Sequence, residues 1–309
     1  MPLPPAPPIE TPATIAEAYA TLAGSTAEDP ITPIAGGTDV MVRITGEIGE
    51  PPARMIDLSR LAELRGIAIV GDAVVLGALT TYTGIRRSGV CREHVPALVE
   101  AAATIGAAQI QNRGTIGGNA ANASPAGDTL PVLLALDASF VLGSPRGERT
   151  VSADEFWVAY RRTALAPDEL ILRVRIPLAR GRESRFRKIG TRRAQAISKV
   201  VLALSWRDGA AGPGAAGAVG GSGSAGSAHN GAWRDVRLAL GSVADRPIRA
   251  RHAEAVLEGA APTPETADAA AEALAAEIQP IDDVRSTADY RRVVAARSLH
   301  RLIRDAGGW

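Results

Sequence analysis

The order of the predicted strands and helices limits the folds that this chain can adopt. The predicted strands of the first part follow one another without regular helices of about 10–15 residues between them. A repeated strand–helix barrel or a doubly wound parallel sheet therefore fits poorly, and the pattern predicts an α+β fold. The predicted elements of this part are strands at Ile31–Ala35, Met55–Leu58, Ile67–Val70, Ala73–Ala78, Ser139–Leu142 and Leu170–Ile176, helices at 14–24, 40–44, 96–105 and 130–136, and an irregular stretch at 106–125.

A change of pattern near residues 178–184 predicts a domain boundary, and the length of 309 residues is typical of about two domains. The 46% of hydrophobic residues can supply a sizeable core. Beyond the boundary, the predicted elements are strands at Phe186–Ile189, Val200–Trp206 and Trp233–Ser242 and helices at 250–258, 264–277 and 287–305.

Charge and composition exclude several classes of function. The formal net charge of +1 provides no overall field for nucleic acid, and no apolar run reaches the roughly 18–20 residues of a membrane span. The first residues carry neither the basic nor the apolar segment of a secretory signal. The single cysteine, Cys91, excludes an iron–sulfur cluster held by this chain alone, and the four histidines have no metal-ligand spacing. We therefore predict no metal site in this chain.

An insert at 209–231 interrupts the second part, and 19 of its 23 residues are Gly, Ala or Ser. This composition is typical of a flexible linker. Within it, 212–217 matches the dinucleotide motif GxGxxG, but the glycines that follow cannot sustain the helix that this motif needs. We interpret the match as part of a loose hairpin loop.

Two glycine loops are the first candidates for a binding site. Ala35-Gly36-Gly37-Thr38-Asp39 follows a predicted strand, and Gly114-Thr115-Ile116-Gly117-Gly118-Asn119 lies about 80 residues further on. Paired glycines let a backbone approach a phosphate and direct successive N–H groups at one anion. Each loop alone could be an ordinary turn, but together they could hold the two phosphates of a pyrophosphate.

Two charged residues complete the candidate site. Asp128 could cap the apolar helix that follows it, or its carboxylate could accept hydrogen bonds from ligand hydroxyls. Lys188 is one of only two lysines in an arginine-rich chain. Its segment, Arg185–Arg193, could be a solvated basic strand edge or a nucleic-acid contact, or it could place the Lys188 ammonium group against the electron-rich ring of a cofactor.

Three segments together resemble the FAD-binding medium subunit of molybdenum hydroxylases, the family that includes the flavin subunits of xanthine dehydrogenase and aerobic carbon monoxide dehydrogenase. They are AGGTD at 35–39, QIQNRGTIGGNAANASPAGDT at 109–129 and KIGTRRAQAISKV at 188–200. Residues 240–259 and 283–301 are similar to the C-terminal domain of the same family. The resemblance covers nearly the whole chain, and its long central motif is highly specific.

The resemblance implies a fold and a division into domains. Residues 1–178 would form a two-subdomain FAD-binding fold of the vanillyl-alcohol-oxidase type, divided at about 1–58 and 59–178. Residues 185–309 would form a small α/β C-terminal domain that carries the insert.

The resemblance also implies the residues that contact FAD. The glycine loops would wrap the pyrophosphate, Asp128 would bind hydroxyl groups, and Ile171 and Lys188 would lie near the flavin. Ile105 stands where some relatives place an aromatic residue against the adenine, and Gln111 replaces an arginine common in the motif. The implied FAD-binding residues are Ile34, Ala35, Gly36, Gly37, Thr38, Asp39, Ile105, Thr115, Ile116, Gly117, Gly118, Asn119, Asp128, Ile171 and Lys188.

The implied function is electron transfer, with no catalytic residue in this chain. A small subunit with two [2Fe–2S] clusters and a large subunit with the molybdenum cofactor would be its partners, in a cytoplasmic dimer of heterotrimers. A flavin links one-electron clusters to a two-electron acceptor, so this chain would pass electrons onward. Two alternatives stay open: a stand-alone flavin oxidoreductase with its own substrate, and a scaffold subunit that has lost FAD.

Overall fold

A computed structural model describes residues 7–45, 50–178, 181–192, 195–209 and 231–309. Apart from its two end residues, the predicted insert 209–231 lies outside the described residues, and so does its GxGxxG match. Helices and strands both contribute to every part of the described chain, as the predicted α+β class requires. Among the described residues, no helix has both the length and the apolar character needed to cross a membrane.

A small parallel sheet lies at the N-terminal end of the chain, and the first glycine loop follows one of its strands. The helix predicted at 14–24 begins after Thr14, whose hydroxyl oxygen accepts the Glu17 N–H at 3.2 Å. The sheet has the strand order β1-β3-β2 with both pairs parallel. Its elements are β1 (Ile9–Glu10), α1 (Ile15–Leu22), β2 (Ile31–Ile34), α2 (Val40–Ile44) and β3 (Arg54–Asp57).

A five-stranded antiparallel sheet with the order β4-β5-β10-β6-β7 follows. The short helices that connect β5 to β6 pack against the sheet in one apolar cluster. The elements are β4 (Ile67–Val70), β5 (Ala73–Gly77), α3 (Tyr82–Arg87), α4 (Gly89–His94), α5 (Pro96–Thr104), α6 (Ala108–Arg113), α7 (Ile116–Asn122), α8 (Leu130–Ala135), β6 (Ser139–Ser144), β7 (Gly147–Ser152), α9 (Ala153–Phe156), β8 (Trp157–Ala159), β9 (Arg162–Thr163) and β10 (Leu170–Pro177).

The stretch 106–125 is not irregular as predicted, because it contains the short helices α6 and α7. Thr115 caps α7, and its hydroxyl oxygen accepts the Gly118 N–H at 3.1 Å. Glycine has a low helix propensity, so the pair Gly117-Gly118 conceals the helix from a propensity argument. The second glycine loop is therefore a helix start rather than an open turn.

The third part is a four-stranded antiparallel sheet, β11-β12-β13-β14, covered on both faces. Leu202, Leu204 and Trp206 pack toward the three C-terminal helices, whereas Ala203 faces the core of the second part. Burial on both faces explains the nearly continuous apolar run of β12. The elements are β11 (Arg182–Ile189), β12 (Val200–Asp208), β13 (Trp233–Gly241), β14 (Ile248–Arg249), α10 (Arg251–Leu257), α11 (Pro264–Glu277) and α12 (Ala288–Gly307).

Arg291 on α12 ties the segment before this helix to the sheet. Its side chain is 4% exposed, its Nη1 donates to the carbonyl oxygens of Lys199 and Ser242, and its Nη2 contacts the Asp283 carboxylate at 2.6 Å. The neighbouring Arg292 is 40% exposed and pairs with the exposed carboxylate of Asp289.

We expect Arg291→Met to lower the free energy of unfolding by about 2–4 kcal/mol, because it leaves two carbonyl groups without this donor and removes the buried cation from a partly buried carboxylate. Arg292→Met is the matched control, and its loss should stay within about 1 kcal/mol. Urea unfolding followed by circular dichroism measures both. Equal losses in the two variants would contradict the role given to Arg291.

Candidate functional site

A cavity of about 440 Å³ opens between the first sheet and the second. Its volume lies within the range of small-molecule binding sites. Both glycine loops contribute to its wall, together with Ile171 on β10. The predicted site residues that line it are Ala35, Gly36, Gly37, Thr38, Asp39, Thr115, Gly117, Gly118, Asn119 and Ile171.

The two loops touch through their backbones. A Cβ atom on Gly36 would lie 1.8 Å from the carbonyl oxygen of Arg113, the residue just before the second loop. A Cβ atom on Gly117 would lie 2.7 Å from the Cβ of Ala78. Since real side chains do not tolerate such distances, glycine is required at both positions for steric reasons.

The first loop presents unused backbone donors. Gly37 has a φ of +75°, and its carbonyl oxygen accepts the Met41 N–H at 2.9 Å, which fixes the turn. Within the described residues, no acceptor receives the N–H groups of Gly36, Gly37, Thr38 or Asp39. Four successive amides at a cavity wall are the donor set that an anionic ligand requires.

The second loop differs from the prediction, because five of its six amides already have protein acceptors, and the Thr115 N–H is the one without an acceptor among the described residues. The Ile116 and Gly117 N–H groups donate to the carbonyl oxygens of Thr80 and Ala78, and those of Gly118 and Asn119 donate to Thr115. These bonds hold the loop against the start of α3, so the loop cannot also direct successive amides at an anion. The Asn119 Nδ2 group has no acceptor within the described part of the chain, since only its Oδ1 is bonded, to the Thr129 hydroxyl at 2.6 Å.

A polar network that the sequence did not identify lies at the cavity. The Asn122 Nδ2 donates to Asp39 at 2.9 Å, and the Arg161 guanidinium donates to the Asn122 Oδ1 at 3.1 Å. Burial raises the pKa of Asp39, and Arg161 opposes that rise. Arg43 and Tyr82 also line the cavity. No motif marks Arg43, Tyr82 or Arg161, because these three lie in other segments of the chain, whereas Asn122 falls within the motif at 109–129.

Asp128 and Lys188 form a buried ion pair that does not line this cavity. Their side chains are 7% and 10% exposed, and the Lys188 Nζ lies 2.5 Å from the Asp128 Oδ2. The ammonium group also donates to the carbonyl oxygen of Thr104 at 3.1 Å. Asp128 is not a helix cap, because Thr129 occupies the N-cap of α8. Lys188 is not a solvated edge residue either.

The environment of Asp128 is unusual for a carboxyl group. Burial raises its pKa to about 6, although the positive charge and the hydrogen bond of Lys188 act in the opposite direction. Its Oδ1 atom is buried and has no hydrogen-bond partner among the described residues. An unsatisfied buried acceptor beside a cation fits a hydroxyl donor from a ligand.

Three other predicted residues also lie outside the cavity wall. Ile34 ends β2, and its side chain is next to Gly37. Ile116 is fully buried in the core. Ile105 follows α5, and its carbonyl oxygen accepts a hydrogen bond from the Gln111 side chain at 2.9 Å. Gln111 thus binds the carbonyl groups at the end of α5.

We expect Lys188→Met to lower the free energy of unfolding by about 3–5 kcal/mol near neutral pH, because it leaves the Asp128 carboxylate buried without a cation. Removal of the cation must raise the pKa of Asp128 further above its value of about 6. A raised pKa means that the folded state binds the proton more tightly than the unfolded chain, so the folded variant gains stability as the pH falls.

Urea unfolding at about pH 8 and at about pH 5 measures this effect, and the loss should be smaller at the lower pH. The double variant Asp128→Asn/Lys188→Met removes both charges and serves as the control, with a loss that depends little on pH. A loss in Lys188→Met that is the same at both pH values would contradict the buried pair.

Two families match the sequence along most of its length. Residues 8–179 match the family described as "FAD binding domain in molybdopterin dehydrogenase". Residues 185–306 match the family described as "CO dehydrogenase flavoprotein C-terminal domain".

Known proteins show the same relationship. The carbon monoxide dehydrogenase medium chain of Hydrogenophaga pseudoflava is 32% identical over 88% of each chain. The nicotine 6-hydroxylase medium subunit of Paenarthrobacter nicotinovorans is 33% identical over 89% of each chain. A chain of the solved structure of reconstituted CO dehydrogenase from Oligotropha carboxidovorans aligns with a TM-score of 0.87 and 27% identity, over 99% of both chains. This chain therefore belongs to the family of FAD-binding medium subunits of molybdenum hydroxylases, which are oxidoreductases.

Proposed function

We propose that this chain holds FAD in the cavity between its first two sheets and passes electrons from partner [2Fe–2S] clusters to a terminal acceptor. FAD is the cofactor of this family, whose molybdenum and iron–sulfur centres belong to partner subunits. The observation that carries the proposal is the row of four unused amides, Gly36 to Asp39, at the cavity wall.

The first glycine loop provides the donors for the pyrophosphate in this proposal. Its four amides need an acceptor, and the Thr38 hydroxyl stands beside them. The second loop acts mainly as a support, because five of its six amides are already bonded. From that loop, the donors without an acceptor in the described chain are the Thr115 N–H and the Asn119 side-chain amide. The two loops therefore have different roles, although both carry paired glycines.

The remaining predicted contacts are assigned by chemistry. The unpaired Oδ1 of Asp128 accepts a hydroxyl group of the cofactor, while Lys188 keeps the carboxylate charged and correctly oriented. Ile171 is 6% exposed and gives the cavity an apolar wall for the flavin ring. Ile34 and Ile116 act by fixing the loops, and Ile105 takes the place of an aromatic neighbour of the adenine. Asp128 lies beyond the cavity wall and its Oδ1 is fully enclosed, so this contact requires the cavity to open toward Asp128 when the dinucleotide binds.

Bound FAD supplies the exchange between one-electron and two-electron transfer. The protein binds and orients the cofactor and excludes water from it. Cys91 is the only cysteine in the chain, and it is buried. Any iron–sulfur cluster that donates these electrons therefore lies on another subunit. We infer that a small iron–sulfur subunit and a large molybdenum subunit are the partners. Their arrangement as a dimer of heterotrimers and the cytoplasmic location stay predictions from the resemblance.

Electron transfer can be tested without knowledge of the hydroxylated substrate. The partner iron–sulfur subunit is reduced with dithionite, freed of the reagent, and mixed in a stopped-flow instrument with the FAD-loaded full-length chain. We expect the visible absorption of the flavin to decrease while the absorption of the oxidised clusters returns. The same chain stripped of FAD is the matched control and should leave the clusters reduced.

Two outcomes would contradict the proposal. Clusters that stay reduced in the presence of the FAD-loaded chain would remove the transfer step. Equal reoxidation by the FAD-free chain would show that FAD is not the acceptor. Oxidation of an organic substrate by the FAD-loaded chain alone would instead favour a stand-alone flavin oxidoreductase.

A further inference from the structure

Tyr82 lies directly beneath the second glycine loop. It is the first residue of α3, and its N–H donates to the carbonyl oxygen of Gly114 at 3.3 Å. A Cβ atom on Gly114 would lie 2.7 Å from the Cε2 of the Tyr82 ring, so the loop backbone rests on the ring. A β-bridge between Thr81 and Thr115 holds the two segments together. The position of the phenol is therefore fixed by the same bonds that fix the loop.

The Tyr82 hydroxyl is a donor without an acceptor. The side chain is 3% exposed and belongs to the cavity wall. Within the described residues no group accepts or donates a hydrogen bond at this hydroxyl. Its oxygen atom is not fully enclosed by protein. Its remaining exposure is therefore to the cavity. A buried hydroxyl without a protein partner calls for an acceptor from a ligand.

The charges around Tyr82 keep its proton in place. Burial raises the pKa of Tyr82 far above its ordinary value, and the carboxylates of Asp39 and Asp128 raise it further. The phenol therefore stays neutral and able to donate near neutral pH. Other donors of the same cavity, the amides of Gly36 to Asp39 and the Asn119 side-chain amide, likewise have no acceptor among the described residues.

We propose that the Tyr82 hydroxyl donates a hydrogen bond to a phosphate oxygen of the dinucleotide in the cavity. This inference rests on the proposed function, because it adds a contact to the same FAD site. A phosphate is favoured over the flavin ring because Tyr82 packs against the second loop, where the cavity is bordered by the free amides of the first loop. A neutral donor at this point binds an anion without the desolvation cost of a buried cation.

The conservative variant Tyr82→Phe separates a ligand contact from a structural role. It keeps the ring that supports Gly114 and removes only the hydroxyl. Since the hydroxyl has no partner within the described protein, its loss should not change the melting temperature of the FAD-free chain. Tyr290→Phe is the matched control, because Tyr290 is 42% exposed and its ring lies 4.9 Å from the Lys199 Nζ.

The experiment uses the full-length chain freed of FAD and titrated with FAD by calorimetry, with the visible spectrum of the bound flavin recorded for each variant. We expect Tyr82→Phe to bind FAD about tenfold to a hundredfold more weakly than the wild type, as for the loss of a hydrogen bond to an anion. Tyr290→Phe should bind like the wild type. The spectrum of bound FAD should not shift, because the hydroxyl contacts a phosphate rather than the ring.

Several results would overturn this inference. Equal FAD affinity of Tyr82→Phe and the wild type would remove the contact, and a shifted flavin spectrum would move it to the ring. A lower melting temperature of the FAD-free variant would show that the hydroxyl is bonded within the protein. If the wild-type chain bound no FAD, the proposed function would fail together with this inference. Wild-type binding with an unchanged Tyr82→Phe affinity would overturn this inference alone.

Discussion

The contact between Gly36 and the Arg113 carbonyl group is the constraint on which the site depends. At this point the backbones of two segments, almost 80 residues apart in sequence, approach so closely that a single added carbon atom would overlap an oxygen. The contact holds the first parallel sheet against the helices that connect β5 to β6 in the second sheet. The cavity lies between these two parts, so its shape depends on the absence of a side chain at Gly36. Any larger residue must separate the loops.

The loops differ in chemistry because their hydrogen bonds differ. The first loop is held by a turn that leaves the amides of Gly36 to Asp39 without an acceptor among the described residues. In the second loop, the amides of Ile116 to Asn119 all donate to protein acceptors, two of them in the segment before α3. The third part of the chain completes the site from the opposite side. Lys188 neutralises Asp128, the Ser198 hydroxyl donates to the Ala126 carbonyl oxygen at 3.2 Å, and the Ser242 N–H donates to that of Pro125 at 2.8 Å. Residues 125–128 lie in the region that matches the first family, and residues of the region that matches the second family hold them in position.

Much of the site was accessible from sequence because its residues lie in short runs with unusual composition. The glycine pairs, Asp128 and the rare Lys188 all stood out, and most of the long helices and strands followed from periodicity. Two kinds of feature did not. The helix α7 was hidden by its own glycines, since a cap and tertiary packing outweigh propensity there. Tyr82 and Arg161 come from separate segments, and only folding brings them to the cavity. The pairing of Lys188 with Asp128 likewise depends on the contact between two parts of the chain.

Amide hydrogen exchange, resolved to single residues with and without saturating FAD, tests the central claim most directly. If the first loop binds the pyrophosphate, the amides of Gly36, Gly37, Thr38 and Asp39 should exchange more slowly, by on the order of tenfold or more, once FAD is bound. The amides of Ile116 to Asn119 should change little, because protein acceptors already protect them. Unchanged exchange of Gly36 to Asp39 in the FAD-saturated protein would contradict the account, and protection confined to the second loop would reverse the roles of the two loops.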